Sequence, residues 1–277
     1  MDKNDFFAHY PIRKEDSNKY DNGVAAFISG SYGMAGAALF NLLGARSVGA
    51  SYIHSFLPDS IYPIVAANEM SAVYHPYDEN DDGLIERASF SKIKAVAFGS
   101  GTDNLPHARK YLEDLIEKCE VPLIVDAKGL RLLSQAEELY HKADTLILTP
   151  HMGEFSSLCH MDTHEINKDR KQIAVNFAKK NEVILVLKGP ETLVIDAKGQ
   201  IYENHSGNCC LARAGSGDVP TGMIEGLCSL YDDPYQAVQD AVWLHGFLAD
   251  EAMACHSKEI FDLSLYPELA DRFFFER

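Results

Sequence analysis

Val183-Ile184-Leu185-Val186-Leu187 is five apolar residues in a row, followed at once by Lys188-Gly189-Pro190-Glu191-Thr192. A strand with one wet face alternates polar and apolar residues, so a run apolar at every position belongs to a strand covered on both faces. Such strands occur in mainly parallel sheets sandwiched between helices. Working outward, similar short runs predict strands over residues 24–29, 48–54, 61–66, 94–98, 121–126, 145–149 and 193–196. Between them, 3.6-residue periodicity predicts helices over 34–43, 106–118, 164–180, 219–230 and 234–254. The turn Ala197-Lys198-Gly199 closes residues 193–196 and 200–203 into a hairpin at the sheet edge. The expected fold class is α/β: a mainly parallel central sheet with helices on both faces, built as one domain over residues 1–277.

Composition narrows the function. The chain carries 25 Lys and Arg against 41 Asp and Glu, a formal net charge of −16. That surface repels a nucleic-acid backbone and anionic lipid, so neither is an expected partner. A small anion is another matter, because backbone amides at a helix N-terminus hold phosphate inside an acidic protein. No run reaches the roughly 18 apolar residues of a membrane span, and the charged N-terminus is unlike a secretory leader. Six cysteines without a CxxC pair read as free thiols in a reducing cytoplasm.

In open α/β sheets, ligands sit beyond the carboxyl ends of the strands. Four small, polar turns fall there: Gly30-Ser31-Tyr32-Gly33-Met34-Ala35-Gly36-Ala37, Gly99-Ser100-Gly101-Thr102, Asp126-Ala127-Lys128-Gly129 and Thr149-Pro150-His151-Met152-Gly153-Glu154. Each has a plainer reading, with Asp126 a helix cap and His151 a hydrogen-bonded structural histidine. Ala214-Gly215-Ser216-Gly217-Asp218-Val219-Pro220 is sharper. Its glycines precede a helix with an early proline, a turn that aims free amides at one spot. That spot suits a transferring phosphoryl group, with Asp218 placed to accept the proton of an attacking hydroxyl. Alternatively, Asp218 is an N-cap and the glycines form a loop. Lys188 and Thr192 around a glycine turn suit nucleotide phosphates, or are simply solvated.

Taken in order, these segments resemble the ADP/ATP-dependent NAD(P)H-hydrate dehydratases of the ribokinase-like superfamily. The resemblance runs from about Pro11 to Asp250. It begins with Pro11-Ile12-Arg13 through Asn22-Gly23 and continues through Gly30-Ser31, Gly36-Ala37, Gly99-Ser100-Gly101 and Val125-Asp126-Ala127. Thr149-Pro150-His151 with Gly153-Glu154, Lys188-Gly189 with Thr192, Gly207-Asn208, Ala214 to Asp218, Thr221-Gly222 and Leu244-His245-Gly246 complete it. The resemblance implies repair of NADH or NADPH hydrated at C6: ADP or ATP phosphorylates the hydroxyl, and phosphate then leaves. It implies Asp218 as the catalytic base. Ala37, Gly101, His151, Glu154 and Asn208, with Asp218, are implied on the hydrate. Lys188, Gly189, Pro190, Glu191, Thr192, Gly215, Ser216 and Gly217 are implied on the nucleotide, with Mg²⁺ on its phosphates and no protein metal ligand named. A homo-oligomer, a tetramer by resemblance, is also implied, and the aromatic tail over 257–277 is expected to pack on the core or at an interface.

The chain departs from the family pattern at several places. Asp126-Ala127-Lys128 replaces AspAlaAsp, Asn208-Cys209-Cys210-Leu211-Ala212 replaces Asn-Pro-Gly-Met-Ala, and Arg213 replaces a small residue. Two alternatives follow: a vitamin-precursor-like small-molecule kinase of the same fold, or a nucleotide-binding protein of weak activity.

Overall fold

The computed structural model describes residues 1–277. Its strands are β1 (Val24–Ile28), β2 (Tyr52–Pro58), β3 (Ala72–Tyr77), β4 (Ala95–Phe98), β5 (Leu123–Val125), β6 (Leu146–Leu148), β7 (Ile184–Leu187), β8 (Leu193–Ile195) and β9 (Ile201–Glu203). They form one sheet in the order β3-β2-β1-β4-β5-β6-β7-β8-β9. The ladders from β3 to β7 are parallel, and β7-β8-β9 are antiparallel. The expected hairpin at residues 193–203 is therefore present at the sheet edge. Chain order reverses between β1 and β4, which is where an open α/β sheet leaves a crevice at the carboxyl ends.

The helices are α1 (Lys3–His9), α2 (Ala35–Ser47), α3 (Tyr62–Asn68), α4 (Leu84–Arg87), α5 (Ala108–Lys118), α6 (Lys128–Leu133), α7 (Met152–Cys159), α8 (Thr163–Lys168), α9 (Arg170–Asn181), α10 (Asp218–Cys228), α11 (Pro234–Ala252) and α12 (Tyr266–Phe275). Both sheet faces are covered, as the unbroken apolar runs require. Ala25 and Phe27 point into the core under α2, α10 and α11, while Val24, Ala26 and Ile28 join the opposite core under α5 and α9.

Three sequence expectations need correction. Residues 61–66 are not a strand but belong mostly to α3, with Pro63 in its first turn. Val65 is buried while Ile64 is 53 % exposed, a one-sided pattern that a short apolar run does not reveal. The edge strand lies further on, at β3, where Pro76 is tolerated because an edge strand has a row of amides without ladder partners. The second strand begins at Tyr52 rather than at 48, since α2 runs on to Ser47 and Gly49, at φ +83, turns the chain. The helix expected over 164–180 is two, α8 and α9, broken at Asp169.

The tail packs on its own chain. Tyr266, Leu269, Ala270 and Phe273 of α12 are buried, and only Phe275 among its aromatics is wholly turned to solvent. Phe273 meets Phe6 of α1 edge to face at 5.2 Å, so the two chain ends share one aromatic cluster.

Candidate active site

The turn before α10 is shaped by glycine. Gly215 has φ +85, and a Cβ there would come within 2.2 Å of the Phe40 ring on α2. Only glycine lets this turn lie on α2. The Arg213 carbonyl accepts the Ser216 amide at 3.3 Å, and the Gly215 carbonyl accepts both Asp218 and Val219 amides at 3.0 and 3.3 Å. Pro220 has no amide. The expected fan of free helix amides is thus partly consumed inside the turn, and the Ala214, Gly215 and Gly217 amides are left without a protein acceptor.

Lys188 leaves the end of β7 toward the same turn. A Cβ at Gly217 would stand 3.4 Å from its ammonium, so the glycine brings bare backbone against the charge. Nζ donates to Oδ1 of Asp126 at 2.8 Å. Asp126 lies at the end of β5, and its side chain is 3 % exposed. It also accepts from Thr149 Oγ1 at 2.8 Å and Ser100 Oγ at 3.2 Å. Asp126 is therefore not a helix cap but the hub joining the ends of β4, β5, β6 and β7. Burial pushes its carboxyl up, but Lys188 and the two hydroxyls more than offset this and hold it below the usual carboxylate range. Burial likewise lowers Lys188, and Asp126 and Glu154 more than restore it. The pair is charged, as a buried ion pair must be to repay its desolvation.

Asp218 is different. It is the first residue of α10 and does not cap it: the N-cap is Gly217 and no side chain serves there. Burial and the nearby Asp126 charge raise the Asp218 carboxyl to about 7, against partial opposition from Lys188. Asn41, one helical turn beyond Ala37 on α2, donates to the Asp218 carbonyl at 2.9 Å and to Ser100 Oγ at 3.3 Å. Asp218 thus stands beside the turn that holds Gly101. Gly101 itself, at φ +66, would place a Cβ 2.6 Å from that of Ala37 and 3.3 Å from Gly30 Cα. Ser31 Oγ donates to the Gly101 carbonyl at 2.7 Å, stitching together the two loops at the sheet's reversal point.

His151 caps α7. Its Nδ1 accepts from the Gly153 and Glu154 amides at 3.0 and 3.3 Å, while Glu154 Oε2 accepts the His151 amide at 2.9 Å. An Nδ1 that accepts leaves the proton of a neutral ring on Nε2. The ring is 62 % exposed, and its Nε2 lies 3.5 Å from Glu154 Oε1.

On the other side of the turn opens a cleft of about 860 Å³, walled by Lys188 to Thr192, by 204–209 and by Ser216 and Gly217. Thr192 Oγ1 donates to the Gly189 carbonyl at 2.8 Å, and Arg170 braces the turn by donating to the Leu187 and Pro190 carbonyls. Glu191 has φ +54. Asn208 belongs to this cleft and not to the group around Ala37 and Gly101. Its side chain is tied to Cys210, Ala249 and Asp250. His245 forms part of the lining, with Nε2 lacking any partner. Burial and Lys188 push its imidazole down to about 3, so it is neutral.

The fold therefore brings Ala37, Gly101 and Asp218 together at the reversal point, and places His151, Lys188 to Thr192, Ser216, Gly217 and Asn208 around the cleft, with Glu154 held beside His151. Sequence reading missed Asn41, Arg170 and His245 as parts of the site, and gave Ser100, Asp126 and Thr149 no role in it. A polar Asn at helical spacing on an apolar helix was the available signal for Asn41.

Comparison with known proteins agrees with this geometry. The family model described as NAD(P)H-hydrate dehydratase matches residues 25–266. The ADP-dependent (S)-NAD(P)H-hydrate dehydratase of Bacillus subtilis is 31 % identical over 246 residues, covering 88 % of this chain and 86 % of the relative. The bifunctional NAD(P)H-hydrate repair enzyme Nnr of Gloeobacter violaceus is 33 % identical over 267 residues, covering 93 % of this chain and 52 % of the relative. The chain thus spans about half the length of the bifunctional relatives it matches. The crystal structure of the ADP/ATP-dependent NAD(P)H-hydrate dehydratase from Bacillus subtilis, co-crystallised with ATP/Mg²⁺, superposes with a TM-score of 0.89 at 28 % identity. It covers 99 % of this chain and 97 % of that one. The fold is the expected ribokinase-like one. With the family model spanning nearly the whole sheet and both sides of the glycine turn before α10, the chain belongs to the NAD(P)H-hydrate dehydratase family.

Proposed function

We propose that the protein restores hydrated NADH or NADPH, using ADP or ATP as phosphoryl donor. The observation that carries this reading is the position of Asp218, between the group at Ala37 and Gly101 and a nucleotide-sized cleft lined by His151 and Lys188, at the end of a glycine turn facing Lys188. Asp218 takes the proton of the hydrate's C6 hydroxyl, whose oxygen attacks the terminal phosphorus of the nucleotide while the bond to the leaving nucleotide breaks. The Gly215 and Gly217 amides and the Lys188 ammonium balance charge on the phosphoryl oxygens. The ring nitrogen's electron pair then expels phosphate from C6, and loss of a C5 proton restores the dihydropyridine. Hydroxide would be a far poorer leaving group, which is the reason for spending a nucleotide.

No cluster of three His, Cys, Asp or Glu side chains is arranged to hold a metal. Mg²⁺ would therefore arrive on the phosphates, where it neutralises charge on the transferring group. Ala37, Gly101 and His151 would hold the hydrate, with Glu154 fixing His151, and Lys188 to Thr192 with Asn208 would frame the nucleotide.

The test is recovery of reduced-nicotinamide absorbance from hydrated NADH, with ADP and ATP supplied separately alongside Mg²⁺. Recovery with either donor is expected, and Asp218→Asn should fold normally yet lower turnover by about 10²- to 10⁴-fold. A stable phosphorylated product with no regenerated NADH would instead mark a kinase. Near-normal turnover in Asp218→Asn would remove the assigned role.

A further inference from the structure

Arg213 stands directly before the phosphate turn and directs its guanidinium to the C-terminal segment. Nε donates to the Cys210 carbonyl at 2.5 Å, Nη1 to the Phe261 carbonyl and Nη2 to the Lys258 carbonyl at 2.9 Å. The guanidinium also lies 5.5 Å from the centroid of the Phe261 ring, which is 2 % exposed. Through its main chain, Arg213 closes the turn itself, since its carbonyl accepts the Ser216 amide. One residue thus joins the Cys209–Leu211 turn, the phosphate turn and the tail. Residues 257–262 donate no backbone hydrogen bond to another backbone carbonyl, so side chains such as Arg213 fix where they lie.

The tail touches the cleft at a second point. Tyr266 stacks on His245 with ring centroids 5.3 Å apart and planes 12° apart, and its hydroxyl donates to the His245 carbonyl at 2.8 Å. His245 lines the cleft that Gly217 borders. The C-terminal segment therefore holds the cleft at its phosphate end and at its back wall.

We propose that Arg213 is a positioning residue for nucleotide use, clamping the phosphate turn to the C-terminal segment; this rests on the nucleotide reading of the cleft given above. A guanidinium fork aimed at fixed carbonyls defines distance and direction together, which a small residue at this position could not do. The turn carries both the free amides and Asp218, and a displacement of about 1 Å in such a turn is enough to lower turnover a hundredfold.

The experiment compares wild type, Arg213→Ala and Arg213→Lys by backbone amide exchange, by calorimetric binding of ADP and ATP without hydrate, and by kinetics. In Arg213→Ala, exchange should quicken together at 214–217 and 258–262. Nucleotide affinity should weaken by about tenfold to a hundredfold, while KM for the hydrate stays within about twofold. Arg213→Lys, which keeps a charged donor, should recover part of the affinity, and it carries the same comparison if the alanine variant does not fold. Faster exchange confined to 258–262 with unchanged nucleotide affinity would overturn the proposal, leaving Arg213 a mere tie for the tail. A wild-type chain that binds nucleotide but never restores NADH would refute the dehydratase reading, while the exchange and affinity results would still support Arg213 in its role.

Discussion

Asp218 and Asp126 are two carboxylates in one site whose surroundings drive them apart. Asp126 has a lysine and two hydroxyls and stays charged; Asp218 has burial and a neighbouring anion, and titrates at about 7. Separation of this kind is what the proposed role of Asp218 as proton acceptor requires. Turnover at low substrate should therefore rise tenfold per pH unit below about 7 and level off above it, a profile that a pH series of kcat/KM would read directly. The same group has a folding consequence of opposite sense. Its folded pKa is raised above the ordinary aspartate value of 3.8, so its contribution to stability is fully present below the unfolded pKa and lost as pH rises through about 7. Asp218→Asn buries no charge and should be more stable than wild type at pH 8, by on the order of 2 kcal/mol after allowing for partial solvent access. The gap should close below about pH 4. Urea denaturation at both pH values decides it, and an equal gap at each would show that titration is not the cause. Lys188 and His151 were legible in the sequence because each stands in a turn rich in small residues at a strand end, and Asp218 because glycines lead into its helix. Asn41 was not, because its task depends on α2 crossing over the β4 turn. The Asp126–Lys188 pair was hidden for a similar reason, being 62 positions apart.

The α2–α10 crossing is what holds Asp218 against Ser100. It is close because glycine occupies both sides: a Cβ at Gly44 would meet the Val219 carbonyl at 2.1 Å, and one at Gly222 would meet the Asn41 carbonyl at 2.0 Å. Neither obstacle is a flexible side-chain end, so the helices would have to part. Gly222→Ala should destabilise the protein by about 1–3 kcal/mol despite its better helix propensity. It should also impair turnover more than nucleotide binding, since the Asn41 contact to the Asp218 turn is the one displaced. A denaturation midpoint unchanged from wild type would show that the crossing has slack. Strands apolar on both faces were legible from their unbroken apolar runs, and α5, α10 and α11 from their periodicity. The exchange of α3 for a strand at 61–66 was not, because Ile61, Ile64 and Val65 fit either period until burial distinguishes Ile64 from Val65. α7 escaped notice because its start signal is a histidine, which caps through a ring nitrogen instead of the usual short oxygen side chain.

At the scale of the molecule, a chain of net charge −16 is proposed to collect two polyanions, a nucleotide and a dinucleotide. The sequence made the contrast plain, but not its resolution, which is local: glycine amides plus one lysine. Lys188 is moreover paired with Asp126 at 2.8 Å, so the site projects little positive field into solvent. Approach is therefore governed by the acidic surface, and contact by short-range amides that salt scarcely touches. Raising KCl from about 20 to 200 mM shortens the screening length from roughly 20 to 7 Å. Repulsion between protein and nucleotide should weaken accordingly. At fixed free Mg²⁺, kcat/KM for the nucleotide should rise by about two- to fivefold while kcat stays level. Enzymes that attract phosphates with a broad basic patch show the reverse. A fall in kcat/KM across that range would mean that a basic field around the cleft outweighs the surface, and that the anion hole reaches further than Lys188 and two amides.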